Sequence, residues 1–166
     1  INLSLFPSGF VFNNQTLRSA SIPPEQFISK VITVENKANY ESMPYEEGTL
    51  IIYSHGYFSP DERAFLIQLE RVLSGIHTSC GTAYLHTGDL DYGGVKIFQY
   101  IKKRIFPKLY PYLMDTQTYD QYMAYGEPIE TSKLEKLQRT AEPLLQPLID
   151  KICAEKQVIE QESFLF

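Results

Sequence analysis

Short apolar runs alternate with capped amphipathic stretches through the middle of this chain, and that alternation constrains the fold more than any other feature. Val31-Ile32-Thr33-Val34, Thr49-Leu50-Ile51-Ile52-Tyr53, Thr82-Ala83-Tyr84-Leu85-His86 and Pro111-Tyr112-Leu113-Met114 have strand length and are rich in β-branched or aromatic residues. The first two are almost continuously apolar, which predicts strands covered on both faces. Helices are expected between the runs. Ser59-Pro60-Asp61-Glu62 reads as a helix start, with Ser59 as N-cap and Glu62 reaching back to it. Phe65, Leu66, Leu69, Val72 and Leu73 then form one apolar stripe, ended by Gly75. A second helix is predicted from about Gly94, with Ile97, Phe98, Ile101 and Ile105 inward and Pro107 as its stop. Strand–helix alternation of this kind predicts an α/β fold, a mostly parallel sheet flanked by helices. Right-handed crossovers bring the carboxyl ends of the strands to one edge.

The flanks carry weaker signals. Phe6-Pro7-Ser8-Gly9-Phe10 and Asn13-Asn14 punctuate apolar stretches, so a hairpin or edge strands are expected as an irregular β extension on the rim. Ser132 with Glu135 reads as a capping box for a C-terminal helix, and a last helix is expected over about 147–156. With no internal repeat and no Gly/Ser linker, the 166 residues read as a single domain, 1–166, with a core over about 31–115. The start at Ile1 reads as a piece of a longer protein. Two cysteines, Cys80 and Cys153, make neither a disulfide framework nor a Cys-rich zinc site. No basic-then-apolar leader and no membrane-length apolar run is seen, so a reducing cytoplasm is the expected compartment.

In an open α/β sheet the chemistry sits beyond the strand carboxyl ends. Glu35 follows the first run, His55-Gly56 the second, and Gly88-Asp89-Leu90-Asp91-Tyr92-Gly93-Gly94 the third. Asp89 and Asp91, at i and i+2 in extended chain, point to one face with Cα atoms ~6.5 Å apart. Their repulsion costs about 2 kcal/mol at an effective dielectric of ~20, so a proton or a cation is expected between them. Oxygen-only ligands favour Mg²⁺ or Mn²⁺ over zinc. The bland alternative is an Asp-rich turn that caps a helix. His77 and His86 read as structural or surface histidines, and Tyr119, Tyr122 and Tyr125 as packing groups.

A Glu after the first strand with Asp-x-Asp after the third resembles the Toprim fold, the metal-binding domain of topoisomerases, bacterial primases and several nucleases. The narrower match rests on Val34-Glu35-Asn36 with Tyr40, Ser54-His55-Gly56-Tyr57-Phe58, Gly88-Asp89-Leu90-Asp91-Tyr92-Gly93-Gly94-Val95 and Glu160-Gln161-Glu162. These look like the C-terminal Toprim domain of the JetD family, nuclease subunits of bacterial Wadjet anti-plasmid systems, related to the topoisomerase VI A subunit. The resemblance runs from about Phe6 to Phe164. It implies a C-terminal domain of a longer protein that hydrolyses DNA phosphodiesters with Mg²⁺ or Mn²⁺. Glu35, Asp89 and Asp91 match the family's acidic triad, as catalytic residues and metal ligands. Glu160 or Glu162 would match a further acidic position. Glu35 is a candidate either for the metal shell or for moving a proton. The relatives often carry Gly-Gly where His55-Gly56 stands, which leaves open whether His55 touches a phosphate or packs. None of the twelve tyrosines stands out as a nucleophile, so hydrolysis by water is expected. The implied partners are DNA, SMC-like subunits of the same defence system and a second copy of the chain, with no membrane.

The charge distribution bears on DNA. The net charge of −5 argues against a basic coat protein. Residues 92–114, however, hold five basic side chains and no acidic one, so the remainder carries −10. Lys96, Lys102, Lys103 and Arg104, with Lys37 beside Glu35, are the candidate DNA contacts. The bland reading is a solvated helix face. Two other functions fit parts of the pattern: a non-catalytic Toprim module that binds DNA or a partner, and an Asp-x-Asp glycosyltransferase using Mn²⁺, which leaves Glu35 without a role.

Overall fold

The computed structural model describes residues 9–23, 27–75 and 81–164. Its centre is a four-stranded, all-parallel sheet. β1 (Lys30–Val34), β2 (Thr49–Tyr53), β3 (Ala83–Thr87) and β4 (Leu109–Pro111) lie in the order β2-β1-β3-β4. β1 is central, and Val31 to Val34 are buried, as its apolar run predicts. β2 is an edge strand, only half-buried along its whole length. The expectation that it is covered on both faces is therefore corrected. An apolar run shows what a strand could bury, whereas an edge position leaves its side chains more open to solvent than those of the central β1.

The strand order decides where a ligand can sit. From β1 the chain steps outward to β2 through α2 (Lys37–Ser42). It then crosses back over β1 to β3 through α3 (Pro60–Gly75), and continues to β4 through α4 (Tyr92–Arg104). With right-handed crossovers, this reversal puts α3 and α4 on one face and α2 on the other. Contacts agree: the Tyr100 hydroxyl donates to the Phe58 carbonyl at 3.0 Å and lies 3.5 Å from Arg63 Nη1. The strands on either side of the reversal, β1 and β3, splay their connections apart at their carboxyl ends and open a crevice there.

The predicted capping box of α3 forms. Ser59 N–H donates to Glu62 Oε2 at 2.7 Å, and Glu62 N–H lies 3.4 Å from Ser59 Oγ. Leu66, Leu69 and Leu73 of α3 are buried, with Val95, Ile97, Phe98 and Ile101 of α4. Asp91 is the N-cap of α4, accepting from Gly94 N–H at 2.7 Å, so the helix starts two residues before the expected Gly94. A side chain at Gly94 would overlap the Asp89 carbonyl, which explains why glycine stands there. The C-terminal third adds α5 (Thr116–Tyr122), α6 (Thr131–Gln138) and α7 (Gln146–Glu155). β5 (Glu127–Pro128), between α5 and α6, pairs antiparallel with β6 (Gln157–Val158), which follows α7, and a 3-10 turn ends the described chain at Gln161–Phe164.

Three further expectations are corrected. The N-terminal segment forms no hairpin over its described residues. Asn14–Ser19 is a helix, α1, because Asn13 Oδ1 accepts from Thr16 N–H at 2.9 Å as an N-cap. It does pack on the rim, through an Arg18–Asp61 ion pair at 2.8 Å and Phe12 against Phe65. The fourth strand is Leu109–Pro111, two residues before the apolar run assigned to it. Leu113 takes a positive φ of 56° and bends the chain away after Pro111. The Ser132–Glu135 capping box does not form, since α6 begins at Thr131 with Glu130 as N-cap and no side-chain cap. Residues 1–8 of the expected hairpin, His77 and Cys80 lie outside the described residues. Among the described residues no helix is long and apolar enough to cross a membrane.

Candidate metal centre

Parallel pairing brings the candidate carboxylates together. Val34 pairs with Thr87, and Glu35 N–H donates to the Thr87 carbonyl at 3.0 Å. The first residue beyond β1 is thereby level with the loop beyond β3. Asp89 N–H then lies 3.3 Å from Glu35 Oε2. Gly88 makes this approach feasible, because a Cβ there would collide with the Glu35 carboxylate. Asp89 Oδ1 accepts from Gln161 N–H at 2.8 Å. A bridge between Leu90 and Ile159 ties the same loop to the returning C-terminal segment, placing Glu160 beside Asp89.

The electrostatics are those of a site short of positive charge. Burial raises the Glu35 carboxyl to about 8, with Asp89, Asp91 and Glu160 adding repulsion against only one backbone N–H. Glu160 is raised to about 7, first by burial and then by Asp89 and Asp91. Asp89 is also raised, by burial and by Asp91 and Glu162, against the N–H of Gln161. None of the ion pairs among the described residues involves these four side chains. Protons therefore remain where a cation would neutralise the cluster.

The donor set fits a hard divalent ion in chemistry and charge. It is not a closed cage: no three His, Cys, Asp or Glu side chains of the described residues converge as a preformed metal site. One oxygen of Asp91 is committed to capping α4 and one of Asp89 to Gln161. That arrangement suits Mg²⁺, which is commonly held by one or two carboxylates and completes its shell with water and substrate oxygens. The helix-capping reading of the Asp-x-Asp turn and the metal reading are thus compatible, since each uses different oxygens.

The other predicted residues separate. Glu162 accepts from Asn36 Nδ2 at 2.8 Å and sits at the edge of the cluster. Lys37 lines a cavity of about 340 Å³ with Glu35, Asn36, Tyr53, His55, Gly56 and Asp89, and is 3.5 Å from Glu41. Lys96 lies five residues past Asp91 on α4, about 7 Å along the axis. Lys102, Lys103 and Arg104 fill the last turn of α4, roughly 16–20 Å from Asp91 along the axis. Lys102 is held by Glu142 at 2.7 Å. His86 is buried, and its Nε2 has no hydrogen-bond partner among the described residues. Its Nδ1 is 2.8 Å from Thr33 Oγ1, and burial pushes its pKa down to about 3. Tyr119 is fully buried and Tyr122 packs on Phe164, whereas Tyr125 is exposed.

One residue that matters was missed by sequence reasoning. Gln161 is fully buried and joins three parts of the site. Its Oε1 accepts from Asn36 N–H at 2.9 Å, its Nε2 donates to Thr87 Oγ1 at 3.0 Å, and its own N–H holds Asp89. Its carbonyl accepts from Asn39 Nδ2 at 3.0 Å. Gln161 entered the sequence reading only as the middle of Glu160-Gln161-Glu162, where a glutamine between two glutamates looks like surface.

The raised Glu35 makes a stability prediction. The folded carboxyl holds its proton up to about 8 whereas an unfolded one releases it near 4.5. Between those values the folded state binds more protons, so stability from this group is full below about 4.5 and is lost as pH rises through 8. Glu35→Gln removes that loss. In chelator at pH 8 the variant is expected to be more stable by at least about 2 kcal/mol, roughly 4–8 °C or more in Tm, with little difference at pH 4.5. Thermal melts at the two pH values measure this, and equal Tm values at pH 8 would contradict it.

The fold and site together define an α/β domain whose parallel sheet carries a carboxylate-lined crevice at the point where its strand order reverses. The family described as Wadjet protein JetD, C-terminal, matches residues 9–166, and the chain belongs to that family. Among curated relatives it is 34% identical to the Wadjet protein JetD of Bacillus cereus (strain Q1) over 169 residues. That alignment covers 98% of this chain and 40% of the relative, so the chain spans well under half the relative's length.

Proposed function

We propose that this chain is the Toprim-type, metal-dependent DNA-cleaving domain of a JetD-type protein, hydrolysing phosphodiester bonds in Wadjet anti-plasmid defence. The observation that carries the reading is the gathering of Glu35, Asp89, Asp91 and Glu160 at the switch-point crevice, where burial and mutual repulsion raise Glu35, Asp89 and Glu160 with no cation paired to them among the described residues. Membership of the JetD family supports the biological setting.

Asp89 and Asp91 would hold Mg²⁺ or Mn²⁺, with Glu160 as a further ligand and Glu162 supporting it from the edge. A bound divalent ion supplies charge stabilisation to the non-bridging oxygens and the leaving oxygen of a phosphodiester. Glu35 keeps its proton near neutrality in the metal-free site, which suits it to give that proton to the leaving oxygen; acting instead on the attacking water would require its ionised form, which a bound cation would favour. Lys37 borders the same cavity and would meet a phosphate near the cleaved bond. Lys96, Lys102, Lys103 and Arg104 would meet phosphates farther along the strand, in line with their spread down α4. DNA and the other subunits of the same defence complex are the proposed partners.

The test is nicking and linearisation of supercoiled plasmid by the full-length protein with its complex, in Mg²⁺ or Mn²⁺ and in chelator. Cleavage is expected with either ion and absent in chelator, Glu35→Ala and Asp89→Ala. Cleavage that survives both substitutions would sink the assignment.

A further inference from the structure

The turn after β2 takes left-handed backbone at two successive residues, the first of which has a side chain. His55 has φ +42° and Gly56 follows at φ +94°. Left-handed backbone is uncommon for a residue with a Cβ, and where it is held by its surroundings it concentrates at ligand-binding sites. This turn is held at both ends. The buried Ser54 donates to the Val34 carbonyl from its N–H at 2.8 Å and from its hydroxyl at 3.1 Å, one residue before Glu35. Downstream, the His55 ring packs edge-on to Tyr53 and Phe58, and its Nε2 lies 3.0 Å from Glu62 Oε1. The other oxygen of Glu62 is bound by Ser59 N–H, so this carboxylate cannot swing away. An imidazole braced in this way still has 43% of its side chain exposed, and it borders the cavity that also contains Glu35, Lys37 and Asp89. The Glu62 carboxylate engages Nε2 and fixes the ring orientation, so a phosphate would be met by Nδ1, which donates only when the ring carries both protons.

We propose that His55 is a substrate-binding residue whose imidazole, braced by Glu62, contacts a phosphate of the DNA strand lying against the carboxylate cluster. The inference rests on the nuclease reading above and adds a residue to it. The cavity lining includes Glu35 and Asp89, so an incoming phosphate needs positive charge beside them, and His55 and Lys37 are the lining residues able to carry it. The left-handed backbone is then the cost of holding the ring between Tyr53, Phe58 and Glu62 at the edge of the cavity.

Binding of the full-length protein to a linear duplex is measured with Ca²⁺ in place of Mg²⁺, across a salt series, for His55→Asn and His55→Gly. Asparagine and glycine both accept left-handed backbone, so each keeps the turn and relieves strain. The expected result is an unchanged or raised Tm with affinity lower by about tenfold. The slope of log affinity against log salt is expected to fall by about 0.9, the loss of one phosphate contact. If His55 serves only to anchor the start of α3, Tm falls while affinity and salt slope stay at the parental values, and the inference is overturned. Should His55→Asn fold poorly, a folded His55→Gly with parental affinity and slope overturns it equally. Failure of the underlying nuclease reading looks different: cleavage persists in Glu35→Ala and Asp89→Ala. Absence of DNA binding by the unsubstituted protein overturns both.

Discussion

Asp89→Asn is expected to lower Mg²⁺-dependent plasmid cleavage by about 10³-fold or more, while making the metal-free protein more stable. The two effects have one cause. Asp89 lies among four carboxylates and interacts electrostatically with Glu35, Asp91 and Glu160. Asparagine keeps an oxygen to accept the Gln161 N–H, so the local geometry survives. It removes a negative charge that only a cation would offset. Loss of one metal-binding carboxylate forfeits several kcal/mol of transition-state stabilisation, and about 4 kcal/mol corresponds to 10³ in rate. The same change relieves repulsion in the absence of metal, and functional sites commonly carry such a trade between stability and activity. Cleavage by the full-length complex and melting in chelator measure the two arms. Cleavage within tenfold of the parent would remove Asp89 from the reaction.

Gln161→Ala is expected to cost about 3 kcal/mol in stability and to weaken Mn²⁺ binding at least tenfold. Truncation leaves the part-buried Asn36 N–H and the buried Thr87 hydroxyl without their partner, and each unsatisfied group costs about 1–3 kcal/mol. A cavity adds to this where the side chain was fully enclosed. Metal binding should suffer because Gln161 fixes the end of β1, the loop after β3 and the segment carrying Glu160 relative to one another. Denaturant unfolding and calorimetric titration with Mn²⁺ are the measurements. A loss below 1 kcal/mol with unchanged Mn²⁺ affinity would show that the three segments hold position without it.

Much of the frame was legible in the sequence because it depends on local signals that agree. The Ser59–Glu62 capping box, the apolar stripe of α3 and the β-branched run of β1 each specify one element with no competing pattern. The meeting of Glu35 with Asp89 followed from parallel pairing of strands that could be recognised. What failed were positions where one residue type serves two structures. Asn13 and Asn14 suit a turn and a helix start equally, and the choice depended on whether Asn13 could reach Thr16 N–H. Tyr112-Leu113-Met114 is apolar enough for a strand, yet β4 sits upstream where Leu109 fills the core. Ser132 and Glu135 have the spacing of a capping box, but α6 had already begun at Thr131. Gln161 was illegible for a different reason. Its importance comes from four partners far away in sequence, and no local pattern encodes them.

The bond from Gln161 to Asp89 spans 72 positions of the chain, and that separation sets the order in which the protein can become competent. On a ribosome the sheet strands and the Asp-x-Asp loop emerge first. α5, α6 and α7 must follow before the segment that locks the carboxylates appears. A nascent chain interrupted in that interval would hold the acidic residues without the clamp that fixes them. For a protein proposed to cut DNA, late closure of the site means that an unfinished chain is a poor nuclease.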